Sequence, residues 1–102
     1  MRFDWDVSKN QANISEHEDV SFDDATKVFN DIWAIEEADL DHSTFTEKRF
    51  TIIGLADKKL LRVTYTIIAE GIADETIRII SARTAKTKDK ENYDNARNQY
   101  DQ

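Results

Sequence analysis

Four arginines lie within or beside the most strand-like part of the sequence, and they give the clearest chemical signal in the chain. They are Arg49, Arg62, Arg78 and Arg83. Guanidinium groups bind phosphate through paired hydrogen bonds. A cluster of them on an open sheet face suits a scissile RNA phosphate, whose charge grows in the transition state. The alternative is that each arginine pairs with one of the 21 acidic residues on a solvated surface.

A second group of candidates lies in the first predicted helix. Lys9, Asn13 and His17 recur every four residues, so they share one helix face. Histidine is suited to general acid or base chemistry because it titrates near neutral pH. The alternative for His17 is an interaction with carbonyl groups at the helix end or with Glu18. Lys9 would either hold a phosphate or remain a solvated lysine.

Two further side chains have a weaker claim to chemistry. Tyr93 offers a phenol to a site, but its spacing of three and four with Ala96 and Tyr100 also fits helix packing. His42 follows Asp39 closely, which only faintly resembles a metal site, because no second histidine stands at a suitable spacing. We therefore expect neither a metal ion nor another cofactor.

The elements that would position the arginines form an antiparallel meander. Strand-forming residues predict three strands, over residues 50–55, 60–68 and 75–82. A turn at 56–59 and a longer connection at 69–74, which holds Gly71, would join them. Arg62 and Arg78 then sit on adjacent strands, and we expect them to approach each other on one face.

The remaining elements flank this meander. Alternation around Phe3 and Trp5 predicts a short first strand, and Asp6 is a suitable N-cap for a helix over about 7–17. Ser21 opens a second helix over about 22–30. A short strand is predicted at 33–35, an acidic loop at 36–47 with strand character at most at its start, and a C-terminal helix over about 86–100. This order indicates an α+β fold in which helices pack on one face of an antiparallel sheet.

Composition limits the classes of protein to which the chain can belong. With 102 residues, we expect one domain over residues 1–102. The absence of Cys excludes a disulfide scaffold and a thiolate site. Without an apolar leader or membrane-length run, we expect a cytoplasmic protein with no membrane partner.

The charge is divided unequally along the chain. Residues 1–47 carry 3 basic and 13 acidic side chains, whereas residues 48–102 carry 11 basic and 8 acidic ones. The overall charge of −7 disfavours non-specific binding of nucleic acid by the whole molecule. It does not exclude a local basic site on the second half, and the acidic half is suited to a basic partner.

Taken together, three ordered segments resemble the BrnT family of bacterial type II toxins. The first is Phe3-Asp4-Trp5-Asp6-Val7-Ser8-Lys9-Asn10, followed by Asn13 and His17. The second is Val20-Ser21-Phe22-Asp23-Asp24-Ala25, followed by Val28-Phe29-Asn30-Asp31. The third is Ile77-Arg78-Ile79-Ile80-Ser81-Ala82-Arg83, followed by Ala85 and a helix that contains Tyr93. The resemblance covers nearly the whole chain.

This resemblance implies a RelE-like fold and a ribonuclease that inhibits translation by cutting RNA without a metal ion. It also implies a protein antitoxin, BrnA, through which the complex would contact promoter DNA. In such enzymes, basic side chains orient the phosphate while the ribose 2′-hydroxyl attacks. The resemblance is also compatible with a dimer or a larger assembly with the antitoxin.

The residue roles implied by the resemblance follow the candidates above. The four arginines become phosphate-binding and transition-state residues. His17 or Lys9 would transfer a proton or orient the phosphate, and Glu47 would act as a general base or orient an arginine. Lys86 and Tyr93 join the RNA-binding set. The alternative function is a catalytically weak module that binds the antitoxin and tunes promoter repression.

Overall fold

A computed structural model describes residues 1–17, 19–70 and 75–100 of the chain. These residues form five strands: β1 (Arg2–Asp4), β2 (Ile35–Ala38), β3 (Arg49–Ala56), β4 (Lys59–Glu70) and β5 (Glu75–Thr84). They also form three α-helices: α1 (Val7–Glu16), α2 (Phe22–Lys27) and α3 (Thr87–Tyr100). β4 extends through Glu70, so it includes the first two residues of the predicted connection. The rest of that connection, at 71–74, lies outside the described residues.

The strands form one mixed sheet in the order β1-β5-β4-β3-β2. The predicted meander is confirmed, because β3, β4 and β5 pair antiparallel in sequence. The predicted antiparallel sheet is a mixed sheet in the structure, since β1 pairs parallel with β5. Alternation around Phe3 indicates which side chains face inward, but it does not determine the direction of the neighbouring strand.

The main hydrophobic core lies on one face of the sheet, which we call the core face. Phe22, Ala25 and Val28 cover it and exclude water from strand residues that include Ile52 and Val63. Aromatic rings extend this packing, with Phe29 and Tyr65 edge to face at 5.1 Å between centroids. The burial of these apolar side chains is the main force that holds α2 and the turn after it against the sheet.

The predicted helix starts are confirmed by their caps. An Asp6 carboxylate oxygen accepts a hydrogen bond from the Lys9 amide at 3.1 Å, and the Ser21 hydroxyl accepts one from the Asp24 amide at 3.1 Å. The second helix is α-helical only to Lys27, and a 3₁₀ turn over Val28–Asn30 completes the predicted span.

The strand predicted at 33–35 begins later, at Ile35. The cause is Asp31, whose carboxylate accepts a hydrogen bond from the Trp33 amide at 3.0 Å and whose carbonyl accepts one from the Ala34 amide at 3.1 Å. These bonds hold Trp33 and Ala34 in a turn, which is a local alternative to strand pairing that aspartate commonly provides.

The second face of the sheet, which we call the arginine face, carries all four candidate arginines. The register places Arg49 and Arg78 opposite Thr66, and Arg62 opposite Arg83, and directly paired residues share a face. Helix α3 reaches this face through Asp89, which contacts Arg62 and Arg83. The prediction that all helices pack on one face is therefore wrong, because α3 is held by charged groups on the face opposite the core.

Asn13 joins α1 to the sheet through a buried polar contact. Its side-chain amide donates to the carbonyls of Val20 and Ala82, each at 2.8 Å, and its oxygen accepts from the Ala82 amide at 3.0 Å. The residue is 5% exposed. Buried backbone groups that lose such partners carry the full cost of desolvation.

We expect Asn13→Ala to lower the free energy of unfolding by about 2–4 kcal/mol, because three buried backbone groups lose their partner at once. Denaturant unfolding followed by circular dichroism measures the change. Gln11→Ala, at an exposed position of the same helix, is the control and should change stability by less than about 0.5 kcal/mol. Equal effects of the two substitutions would contradict the assigned role of Asn13.

Gly54 permits the close approach of the segment around Asp31 to β3. A Cβ atom at this position would lie 2.8 Å from Val28 Cγ1 and 2.9 Å from Ala34 Cβ. We expect Gly54→Ala to destabilise the fold by about 1–3 kcal/mol through overpacking. Adding Val28→Ala should cost less in this background than in the unaltered chain, since it removes one of the two clashes. A fully additive double mutant would argue against the clash.

Candidate phosphate-binding site

Two arginines from adjacent strands meet at one buried carboxylate. Arg62 Nη1 donates to Asp89 Oδ1 at 3.1 Å, and Arg83 Nη1 donates to Asp89 Oδ2 at 2.8 Å. Asp89 is 4% exposed, whereas the side chains of Arg62 and Arg83 remain 35% and 28% exposed. The two guanidinium groups are thus held from within the protein while part of each still faces solvent.

The same carboxylate fixes the start of α3. Asp89 Oδ2 also accepts a hydrogen bond from the Lys86 amide at 2.9 Å, which is the reciprocal half of a capping box. Burial acts to raise the pKa of Asp89, but the Lys86 amide and the guanidinium groups of Arg83 and Arg62 outweigh it and lower this pKa below its ordinary value. Asp89 therefore stays ionised at neutral pH.

A surface concavity of about 270 Å³ opens beside Arg83. Its lining includes His17 at the C-terminal end of α1 and Lys86 at the start of α3. Glu16 also lines this space, so two cations, an imidazole and one carboxylate border a volume large enough for a phosphate group. No carboxylate within the described part of the chain forms an ion pair with His17 or Lys86. Glu18, the alternative partner of His17, lies outside that part.

Lys9 does not line this concavity. It lies on α1 eight residues before His17, which corresponds to roughly 12 Å along a helix axis. The residue between them on that face, Asn13, points into the sheet. Lys9 is exposed and lies on the same helix face as His17. It therefore adds a positive charge near the concavity without lining it.

The other two arginines are paired elsewhere on the arginine face. Arg78 binds Asp4 on β1 at 2.7 Å, and Arg49 Nε binds Glu47 at 2.8 Å. Arg78 lies opposite Thr66, four residues along β4 from Arg62, or roughly 13 Å away. The expectation that Arg62 approaches Arg78 is therefore wrong. The strand register, which side-chain alternation does not specify, places Arg83 beside Arg62 instead.

Tyr93 has a packing role. It is 3% exposed, and its hydroxyl donates to Asp31 Oδ2 at 2.7 Å. Burial, followed by the nearby Asp31 carboxylate, raises the pKa of this phenol to about 12. Its hydroxyl attaches α3 to the turn at Asp31, which agrees with the packing alternative, and its place in the RNA-binding set stays a prediction.

The sequence of the chain matches one protein-family model over most of its length. The family model for BrnT, described as the ribonuclease toxin of a type II toxin–antitoxin system, matches residues 5–89. The chain belongs to the BrnT family. The matched span includes His17, Arg62, Arg83 and Asp89 but ends before Tyr93. None of the curated proteins compared with the chain matches it.

Family membership sets the broad chemistry. A BrnT toxin is a ribonuclease, and a type II system pairs such a toxin with an antitoxin, so an RNA target and an antitoxin partner are implied. Over the described residues, no group of three or more His, Asp or Glu side chains is arranged to hold a metal ion. His42 bonds to Asp39 alone. No described helix is long and apolar enough to cross a membrane.

Acidic side chains border the BrnT arginine face on its β2 side. Glu37, Asp39 and Asp41 line a second depression together with Thr51 and Arg62. The His42 side chain, ahead of the opposing effect of slight burial, lowers the pKa of Asp39, and the positive charge of Arg62 adds to this effect. Arg83 and Lys86 lie away from these carboxylates, beside the concavity that Glu16 and His17 also line.

Sequence reasoning missed Asp89 as a site residue. A signal for it was present, because Lys86 and Asp89 have the spacing of an N-cap and the third helical residue. Read alone, this pattern indicates only a helix start. The missing information was the β4–β5 register, which places two arginines over the same carboxylate.

Stability below neutral pH provides a test of the Asp31 anchor. Burial acts to raise the pKa of Asp31, but the amides of Leu55 and Trp33 and the Tyr93 hydroxyl lower it overall. A carboxylate with a depressed folded-state pKa stabilises the fold above its unfolded pKa of about 3.9 and loses this contribution as pH falls through the folded-state value.

We therefore expect Asp31→Asn to cost stability at pH 6 to 7 and to cost progressively less as pH falls below about 4. Denaturant unfolding of both proteins across this range measures the difference, and the general effect of acid cancels between them. Asp23→Asn, at an exposed position of α2, is the control. A cost that is constant with pH would show that the charge of Asp31 does not contribute.

Proposed function

We propose that this chain cuts RNA without a metal ion, with Arg62 and Arg83 as the principal phosphate-binding and transition-state residues. The observation that carries this proposal is the junction of two guanidinium groups, beside Lys86 and His17, in a chain that belongs to a ribonuclease family. The N-terminal strand and two helices, followed by a meander and a C-terminal helix, support a RelE-like fold.

In the proposed reaction, the ribose 2′-oxygen attacks the adjacent phosphorus and the bond to the 5′-oxygen breaks. The 2′-hydroxyl proton passes to a base, and a proton is delivered to the departing 5′-oxygen. The phosphoryl oxygens gain negative charge in between, and fixed cations stabilise that charge most effectively when they are already in place. Arg62, Arg83 and Lys86 supply the positive charge.

His17 is the proposed proton-transfer residue, because it borders the same concavity as Arg83 and is the only imidazole there among the described residues. Lys9 would contact the RNA backbone further along α1. Arg49 and Arg78, each held by a surface carboxylate, would make outer backbone contacts on the arginine face. Glu47 would orient Arg49, since its carboxylate bonds to Arg49 Nε at 2.8 Å.

The proposed biological outcome is arrest of translation in the cytoplasm, reversed by a BrnA-like antitoxin. DNA would be contacted only through that antitoxin, and a larger toxin–antitoxin assembly is part of this proposal. Support comes from membership of a type II toxin family and from the acidic N-terminal half, which suits a partner that carries basic side chains.

Loss of either central arginine should reduce RNA cleavage strongly. We expect Arg62→Ala and Arg83→Ala each to lower the cleavage rate on the order of 10²-fold to 10³-fold, because each removes a fixed donor to the developing charge. Cleavage of a reporter mRNA in a bacterial translation extract, mapped by primer extension, gives the rate. The same variants should lose growth arrest on induction.

The control is Lys58→Ala, which removes one exposed positive charge from the β3–β4 turn. It should leave the rate nearly unchanged, and denaturant unfolding should show that all variants are folded. A folded Arg62→Ala and Arg83→Ala double variant that still cleaves and arrests growth would overturn the proposed mechanism.

A second candidate function is a catalytically weak module that binds the antitoxin and tunes promoter repression. The observation in its favour is that all four candidate arginines have a carboxylate partner: Asp4, Glu47 or Asp89. Co-expression of the chain with its antitoxin distinguishes the two functions. Arrest relieved by the antitoxin supports the nuclease, whereas tight binding without RNA cleavage by the free chain supports the module.

A further inference from the structure

Asp89 uses only a small part of each guanidinium group. Arg62 and Arg83 each contribute a single nitrogen, Nη1, to the carboxylate, and Arg83 Nη1 also donates to the Thr84 carbonyl at 3.2 Å. A guanidinium carries five N–H donors in a rigid planar fork. The Nε and Nη2 donors of both arginines are not used by any hydrogen bond within the described residues, so they are available to a ligand.

The two arginines would not hold this arrangement unaided. They are directly opposite each other on β4 and β5, and like charges at such positions repel. Asp89 lies between them and is 4% exposed, so water screens its attraction only weakly. One negative charge against two positive charges leaves the cluster with a net charge of +1.

We propose that Asp89 is a positioning residue for phosphate binding: it fixes the Arg62 and Arg83 guanidinium groups so that their free N–H donors address a single phosphodiester. This inference rests on the proposed function for its substrate. Because Asp89 also accepts from the Lys86 amide, the same carboxylate places the start of α3, and with it Lys86, at the edge of the site.

The opposite role makes a contrary prediction. If Asp89 simply competed with RNA for the arginines, its neutralisation would release them and speed cleavage. The change in net charge would also favour faster cleavage. Asp89→Asn changes the net charge from −7 to −6, which weakens the repulsion between the protein and RNA. A positioning residue predicts slower cleavage despite the more favourable charge, so the direction of the effect separates the two roles.

The first measurement is cleavage of the reporter mRNA at saturating and at limiting toxin concentration. Asp89→Asn should lower the maximal rate by on the order of 10-fold to 100-fold, which is typical for loss of a group that orients a functional side chain. Its apparent affinity for RNA should change much less. Asp89→Glu should recover most of the lost rate, because it restores the charge and both arginine bonds.

The matched control is Glu91→Gln, which removes one negative charge from an exposed position of the same helix and should leave the rate unchanged or slightly raised. Asp89→Asn that cleaves at least as fast as the unaltered chain would overturn the positioning role. Asn and Glu variants that behave alike would also overturn it, since only the helix cap would then matter.

A second measurement does not depend on catalysis. Inorganic phosphate is titrated into the unaltered protein while the Nε–H signals of Arg62 and Arg83 are followed by NMR. In the unaltered protein we expect both signals to shift with the same midpoint phosphate concentration. In Asp89→Asn we expect the two midpoints to differ. Different midpoints in the unaltered protein would overturn the proposal, even if the variant does not fold. Coupled shifts in a chain that does not cleave RNA would retain the proposal and reject the nuclease.

Discussion

A buried carboxylate between two arginines is the constraint on which the site depends. An isolated buried charge is too costly to persist, so Asp89 requires donors on every side that faces the protein. Arg62, Arg83 and the Lys86 amide meet that requirement. The observed β4–β5 register is the one that brings both arginines to this carboxylate. A slip of one residue would turn one arginine towards the core face, where Val63 and Ala82 now pack.

Helix α3 is attached largely by polar contacts. Asp89 binds its first turn to the arginine face, Tyr93 bonds to Asp31 beside β3, and the Arg97 guanidinium lies 5.7 Å from the Trp33 ring centre. The Asp31 carboxylate also accepts a hydrogen bond from the Leu55 amide. Leu55 lies in β3 just after Ile53, the last β3 residue that pairs with β2. The Asp31 carboxylate that bonds to β3 beyond β2 thus also holds α3, the helix that carries Asp89.

Much of the fold was predictable from local patterns. Alternation identified β3, β4 and β5, and the caps Asp6 and Ser21 located the first two helices. The ordered motifs also led to the BrnT family, which the family match over residues 5–89 confirms. These features depend on residues close together in the sequence, and such patterns are the ones that propensity and periodicity reveal.

The remaining features depend on contacts between distant residues. The parallel direction of β1, the pairing of Arg62 with Arg83 and the contact of Tyr93 with Asp31 join residues from 21 to more than 60 positions apart. Asp89 looked like one more charge on a charged helix, because its burial follows only from the way α3 crosses the sheet. The strand register and the burial of Asp89 therefore could not be predicted from this single sequence.

The hydrogen bonds of Asn13 also have a consequence for the folding pathway. They join α1 to Ala82 across 69 positions, and β1 pairs with β5 over a similar separation. The entropy of closing so large a loop must be spent before these contacts return any stability, and folding slows as such contacts dominate. The β3–β4 hairpin can form early, but β1 and α1 must wait for β5. A fragment that lacks β1 or β5 could not form the native five-stranded sheet.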